Sequence, residues 1–324
     1  MSSGTATVLQ HGPGVDAAWS LLRAASAAAE RLDRSGRFEM FRADTADGLQ
    51  PLSADGPEVA LAWHPGVGWE SRLTADDERA ELLGLYLPIC SATSARPMTV
   101  GHLGQSLDGF IATPSGDSQT VTGSDNIVHL HRLRALCDAV LVGAGTVAAD
   151  DPLLTTRHVP GANPLRVVFD PRRRLTSTFR VLTDRTAPAL YICARSRISA
   201  GESHMGAALI APIDEGESAD EVAQVLRLLH ARGCARVFVE GGGVTISRFL
   251  EANLLDRLQI AIAPVLIGDG RPAVRLAPQI RLRDCRRPGY RVFRMGGDVL
   301  FDCDLRQAGN PAEDVVPGTV NRII

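Results

Sequence analysis

The stretch Val239-Glu240-Gly241-Gly242-Gly243-Val244-Thr245-Ile246-Ser247 has the make-up of a ligand-binding turn. The apolar run Arg236-Val237-Phe238-Val239 before it predicts a strand ending at Glu240, and the pattern after it predicts a helix from about Thr245 to Ala252. Three successive glycines carry a backbone-entropy cost that a plain loop rarely needs. Placed between strand and helix, they expose backbone N–H groups at a helix N-terminus, which suits a phosphate. Glu240 then stands at the carboxyl end of a buried strand, where open α/β sheets hold ligands.

A second glycine cluster, Val142-Gly143-Ala144-Gly145-Thr146-Val147-Ala148, fits G-x-G-x-x-A after a strand, and Asp170 ends a later strand about 25 residues on. A dinucleotide-binding helix would have to continue through Asp150-Asp151-Pro152 and then meet Pro160, Gly161 and Pro164. Proline in a helix interior costs about 3 kcal/mol. The glycines therefore predict a sharp turn past a ligand and no long helix. Ser106-Leu107-Asp108-Gly109 reads as a tight turn at a strand end. His129 and His131 lie two apart on a predicted helix and so face different sides. With no H-E-x-x-H and no two-His-one-carboxylate set, a metal is not expected, and without G-x-S-x-G serine-hydrolase chemistry has no anchor.

The elements that must position these residues begin after Pro97. Met98 to Leu103, Ala139 to Val142, Leu165 to Phe169, Ala189 to Cys193, Arg236 to Val239 and Leu258 to Ala263 are predicted strands. Ser124 to Cys137 is a predicted helix with Ile127, Leu130, Leu133 and Leu136 on its apolar side, and Ala219 to Ala231 another. Arg291 to Met295 and Val299 to Asp304, joined through Gly296-Gly297-Asp298, predict a hairpin. Strands alternating with helices imply α/β with a mostly parallel, mixed sheet. Before Pro97, Val15 to Asp33 predicts a helix stopped by Gly36. Thr74 is a candidate N-cap for a second helix that stops at Pro88. The residues through Gly14 are expected to be mobile, and Ser91 to Pro97 to act as a linker.

The bulk numbers set bounds. A chain of 324 residues, 45% hydrophobic and 22% charged, can bury one large or two modest cores. A net charge of −3 gives no reason to expect nucleic-acid or membrane binding. The six cysteines have no C-x-x-C spacing and several sit in apolar runs, which predicts a reduced cytoplasmic protein without a zinc site or disulfide framework.

Taken together, the blocks resemble the reductase half of the bifunctional riboflavin-pathway deaminase/reductase, a family with the dihydrofolate reductase-like fold. They are Gln105-Ser106-Leu107-Asp108-Gly109, Gly116 to Gly123, His131-Arg132-Leu133-Arg134-Ala135, Asp138 to Val147, Asp150-Asp151-Pro152 with Leu154 and Arg157, Val239 to Gly243, and Ala263-Pro264 near Gly268. The resemblance implies a fold of a mixed, mostly parallel sheet flanked by helices, closed by a C-terminal antiparallel hairpin. It places the reductase domain at residues 96–305, after a small, mainly helical segment of unknown function at 1–95 and before a tail at 306–324. It implies NADPH as cofactor and hydride transfer to the sugar C1′ of a phosphorylated ribosylamino-pyrimidine, in a cytoplasmic homodimer. Gly104, Thr120, Thr146, Asp150 and the stretch Gly242, Gly243, Val244, Thr245, Ile246, Ser247, Arg248 would line the cofactor. Ser118, Arg134, Leu154, Arg157 and Glu240 would line the substrate, the two arginines suiting a sugar phosphate. No catalytic residue beyond these is named.

Two positions depart from the family's pattern: Thr120 stands where it usually has Trp, and His102 where it usually has Lys. The partner deaminase's H-x-E and P-C-x-x-C zinc signature is missing. A reductase of a pterin or another heterocycle, and a non-catalytic nucleotide-binding protein, remain as alternative readings. The N-terminal segment carries all three tryptophans and no acid/base cluster, so it is expected to dock on the reductase core without catalytic residues of its own.

Overall fold

The computed structural model describes residues 13–44, 48–118 and 121–308. Thr120, the residues before Pro13 and the tail beyond residue 308 lie outside the described residues.

Helix α1 (Pro13–Ser35) opens on a proline, whose fixed φ and missing N–H suit a first turn, and ends at Gly36 with φ +64°. Pro13 and Gly14 are therefore helical rather than mobile. A four-stranded antiparallel sheet follows: β1 (Glu39–Asp44), β2 (Gly48–Leu52), β3 (Leu61–His64) and β4 (Gly68–Ser71), in the order β2-β1-β3-β4. Helices still make up more of the segment than strands, as expected. Sequence reading missed the sheet because its strands are short and separated by Gly, Pro and Asp. Helix α2 (Ala80–Cys90) starts six residues after Thr74, which is no N-cap. The intervening residues form turns held by the Asp77 carboxylate on the Arg79 backbone and guanidinium. Pro88 does not stop the helix, because it lies in the last turn, where only one intrahelical bond is lost.

The main sheet has ten strands in the order β10-β11-β9-β8-β7-β12-β5-β13-β16-β15. Its central strands are β5 (Met98–Ser106), β7 (Ala139–Gly143), β8 (Leu165–Phe169), β9 (Ala189–Ala194), β11 (Ala208–Ile213), β12 (Arg236–Glu240) and β13 (Arg257–Ala263), and their neighbours are parallel throughout. Antiparallel pairs occur at the two ends: β10 (His204–Met205), and the hairpin of β15 (Pro288–Met295) with β16 (Asp298–Ala308). A separate pair joins β6 (Phe110–Ala112) to β14 (Arg271–Pro272). The helices are α3 (Ser124–Leu136), α4 (Ala144–Asp150), α5 (Arg180–Thr183), α6 (Ser218–His230) and α7 (Gly243–Glu251). This is the expected mostly parallel sheet with a closing hairpin.

The N-terminal segment is built into one face of that sheet. A single buried cluster runs from Ala18, Leu22, Trp63 and Leu83 through Val100, Val140, Val168 and Tyr191 to Leu300. The Trp19 indole donates to the Pro160 carbonyl at 2.8 Å, and Arg236 reaches back to Ser26. The predicted linker is a pinned turn: Thr93 and Arg96 both bind the Asp33 carboxylate of α1. Trp19 is 4% exposed, so Trp19→Ala is expected to cost about 3–5 kcal/mol in urea unfolding and to move the whole chain in one transition. A second, unaffected transition from the sheet would show that the two parts have separate cores.

Candidate active site

Three adjacent parallel strands, β7, β12 and β5, finish on one edge of the sheet, and the glycine turns leave from two of them. Parallel strands bring their carboxyl ends together, so turns about 100 residues apart in sequence become neighbours. Gly241 and Gly242 have φ of +62° and +67°, in the left-handed region where side chains are strained. A Cβ on Gly242 would lie 2.6 Å from Thr146 Oγ1; one on Gly143 would overlap Thr245 Oγ1, and one on Gly243 the Ala273 carbonyl. The glycines are thus demanded by the packing of one turn on the other. As expected, the first cluster opens only a seven-residue helix, α4, before Asp151 ends it in the left-handed conformation.

The α7 stretch divides by direction. Val244 is 75% exposed at the start of the helix, whereas Ile246 is fully buried in the core against Gly101. Ser247 Oγ accepts the Arg275 N–H, and Arg248 pairs with Glu221 of α6 and lies over the Phe169 ring. The Ile246 N–H is itself taken by the Gly242 carbonyl, so Ile246 only anchors the helix. Gly104, on β5, is flanked by Thr122 and Asn126.

On the other side, Arg134 of α3 grips Glu240 with two hydrogen bonds, of 2.8 and 2.5 Å, and both side chains are almost fully buried. Arg134 and Arg157 also donate to the Thr155 carbonyl, and Arg157 reaches the Thr155 hydroxyl. Thr155 is held there by a strained backbone: Leu154, with φ +58°, is a bulky residue in the left-handed region, and its side chain is buried. Burial, then the charges of Arg134 and Arg180, hold the Arg157 guanidinium below its ordinary pKa. Asp150, at the end of α4, accepts from Ser118 at 3.5 Å, and burial raises its pKa while Arg271 opposes the rise. All the substrate-side candidates, Ser118, Arg134, Leu154, Arg157 and Glu240, thus belong to segments that meet at the ends of β7 and β12, next to Thr146 and Gly242. Asp108 closes the far side: it accepts from Ser106 and from the N–H groups of Ile267 and Gly268, which lower its pKa to about 2.

Sequence reading missed the polar face of α3. Ile127 is exposed, while Asn126, His129, His131 and Arg132 are buried. Apolar periodicity cannot signal a face that meets partners of its own kind. The one available signal was the density of His and Arg within a predicted helix.

The family model of the RibD C-terminal domain matches residues 98–292. The chain belongs to the RibD C-terminal domain family. A 2,5-diamino-6-ribosylamino-4(3H)-pyrimidinone 5′-phosphate reductase of Methanothermobacter thermautotrophicus is 33% identical over 225 residues, which cover 65% of this chain and 99% of that one. Its counterpart in Archaeoglobus fulgidus is 36% identical over 184 residues, 53% of this chain and 83% of that one. Among solved structures, a diaminohydroxyphosphoribosylaminopyrimidine deaminase/5-amino-6-(5-phosphoribosylamino)uracil reductase from Thermotoga maritima is 27% identical with a TM-score of 0.57, covering 71% of this chain and 62% of that one. RibD from Acinetobacter baumannii is 25% identical with a TM-score of 0.56. The chain spans less than two thirds of these solved chains, 62% and 64%. The N-terminal sheet and its two helices lie outside the residues matched by the family model.

Three histidines on this face of the sheet are held neutral by burial: His102 is pushed down to about 4, His131 to about 3, and His129 well below 6.5. The unfolded chain therefore takes up protons first. Their contribution is complete above pH 6.5 and is lost as pH falls through 6.5 toward 4. One unit below the unfolded value, each costs roughly 1.4 kcal/mol. Urea unfolding is expected to show a loss of several kcal/mol between about pH 7.5 and 5.5. A flat profile over that interval would mean that these rings are not buried as neutral groups.

Proposed function

We propose that this chain is an NADPH-dependent reductase of a phosphorylated ribosylamino-pyrimidine, delivering hydride to the sugar C1′ and forming the ribityl chain. The observation that carries this reading is the buried Arg134–Glu240 pair beside the triple-glycine turn: a fixed carboxylate acceptor held by an arginine, directly before two left-handed glycines and a helix N-terminus. The names of the relatives from Methanothermobacter and Archaeoglobus support the same substrate class.

In this reading the reductase domain is residues 96–305. Within the stretch Gly242 to Arg248, the N–H groups at Gly242, Gly243 and Val244 and the helix dipole hold the cofactor's phosphates, and Thr245 to Arg248 anchor the helix behind them. Gly104, Thr120, Thr146 and Asp150 complete that side. NADPH supplies the hydride when bound. Glu240 accepts from the N–H groups of the pyrimidine, and Arg134 keeps it in place. Arg157, already crowded by cations, receives the sugar phosphate, with Ser118 and Leu154 shaping the pocket wall. The protein's part is to align donor and acceptor carbons and exclude water. A cytoplasmic homodimer belongs to the same reading; among the described residues no helix is long and apolar enough to cross a membrane.

The assay is loss of NADPH absorbance with 2,5-diamino-6-ribosylamino-4(3H)-pyrimidinone 5′-phosphate and with its aminouracil counterpart, each also offered without phosphate. Arg157→Ala is expected to raise KM for a phosphorylated substrate about tenfold or more and to leave the dephosphorylated one nearly unchanged. Equal losses on both would remove the phosphate role. At the cofactor side, Val244→Asp puts a negative charge at the exposed first turn of α7, where an acid favours the helix. The variant should keep its melting temperature and bind NADPH about tenfold more weakly. An unchanged Kd would place the cofactor's phosphates elsewhere.

A further inference from the structure

The polar face of α3 is wired to the N-terminal segment. Tyr86 of α2 is 1% exposed, and its hydroxyl lies 2.5 Å from His129 Nδ1. His129 Nε2 is 3.0 Å from Gln259 Oε1, and Gln259 Nε2 donates to Asp302 Oδ1 at 3.1 Å. Arg257 and Arg291 hold the Asp302 carboxylate.

The direction of every bond follows from its far end. An ionised carboxylate only accepts, so Gln259 turns its amide nitrogen to Asp302 and its oxygen to His129. His129 Nε2 must then carry the ring proton, which leaves Nδ1 as the acceptor for the Tyr86 hydroxyl. Burial favours the same states, holding His129 neutral and raising the Tyr86 phenol to about 12. His129 is thereby fixed in one tautomer and one orientation.

That ring supports another. His102 meets His129 edge to face, with centroids 4.9 Å apart and planes at 70°. His102 is in register with Glu240 on the adjacent parallel strand, so the two side chains share a face of the sheet. Gly104 lies two residues further along the same strand, again on that face. His102 is therefore the floor between the proposed acceptor Glu240 and the proposed cofactor wall at Gly104. Asn126 and the Gln259 backbone are its polar neighbours.

We propose that Tyr86 is a positioning residue of the reductase site: its hydroxyl locks His129, and His129 fixes His102 beneath the reacting groups. The N-terminal segment then takes part in the reaction through geometry, beyond covering a sheet face. This rests on the site reading given above.

The test uses the full chain with Tyr86→Phe, which removes one oxygen and keeps the ring, and with His129→Gln as a second variant. NADPH turnover and heteronuclear NMR of the histidine rings are measured on both. In Tyr86→Phe, kcat should fall about fivefold or more while KM for NADPH stays within about twofold. The His129 Nδ1 signal should shift as it loses its donor while Nε2 stays protonated against Gln259, and the His102 ring signals should move. The double variant should lose no more activity than His129→Gln alone, because both act through one ring. A lower melting temperature with unchanged kcat and unmoved His102 signals would overturn the proposal. An inactive wild-type chain would overturn the reaction instead; Tyr86 is then judged on the His102 signals, and unmoved signals overturn it.

Discussion

A carboxylate at the end of a buried strand needs a cation that fits it, and Arg134 is that cation for Glu240. Such pairs add little net stability compared with apolar replacements, but breaking one leaves an uncompensated buried charge and costs about 3–5 kcal/mol. What the pair contributes here is geometry. It ties α3 to the end of β12, and through the Thr155 carbonyl it ties the strained turn at Leu154 to both. The two glycine turns are then free to press against each other on the remaining side. The positions of Glu240, Arg134 and the turn that carries Leu154 and Arg157 depend on α3 lying where Glu240 holds it.

Much of this was legible in the sequence. Continuous apolar runs such as Leu165 to Phe169 became strands at the predicted residues, because parallel strands covered on both faces need no alternation. The prolines after Asp151 kept the first glycine cluster from opening a long helix. Other features were hidden for physical reasons. The strands between Glu39 and Ser71 are stabilised by tertiary packing of Trp63 and Trp69, which no local pattern carries. Thr74 has a cap's composition, but Asp77 and Arg79 close a turn there first. Nothing in the spacing of His102, Tyr86, His129 and Gln259 announces that they meet, since they lie on four separate elements. The residues lining the candidate site were reached through the family resemblance; glycines and Glu240 alone would have pointed to an anion site without a reaction.

The N-terminal segment changes how the protein's two parts relate. Its helices are continuous with the core of the sheet, and its turn at Thr93–Arg96 is anchored to α1 by Asp33. The family model begins at residue 98, so this packing is an addition on a face that the ten-stranded sheet would otherwise expose.

All three tryptophans, Trp19, Trp63 and Trp69, lie in that segment and all are buried. The tryptophan emission of the chain therefore originates in the N-terminal layer alone. Trp63 and Trp69 stack edge to face within the small sheet, whereas Trp19 donates across to Pro160 and lies beneath the Arg132 guanidinium of α3. One indole thus looks across the seam and two look inward. A change in the emission of Trp19 is read at the junction between the two parts, whereas Trp63 and Trp69 report on the N-terminal layer itself.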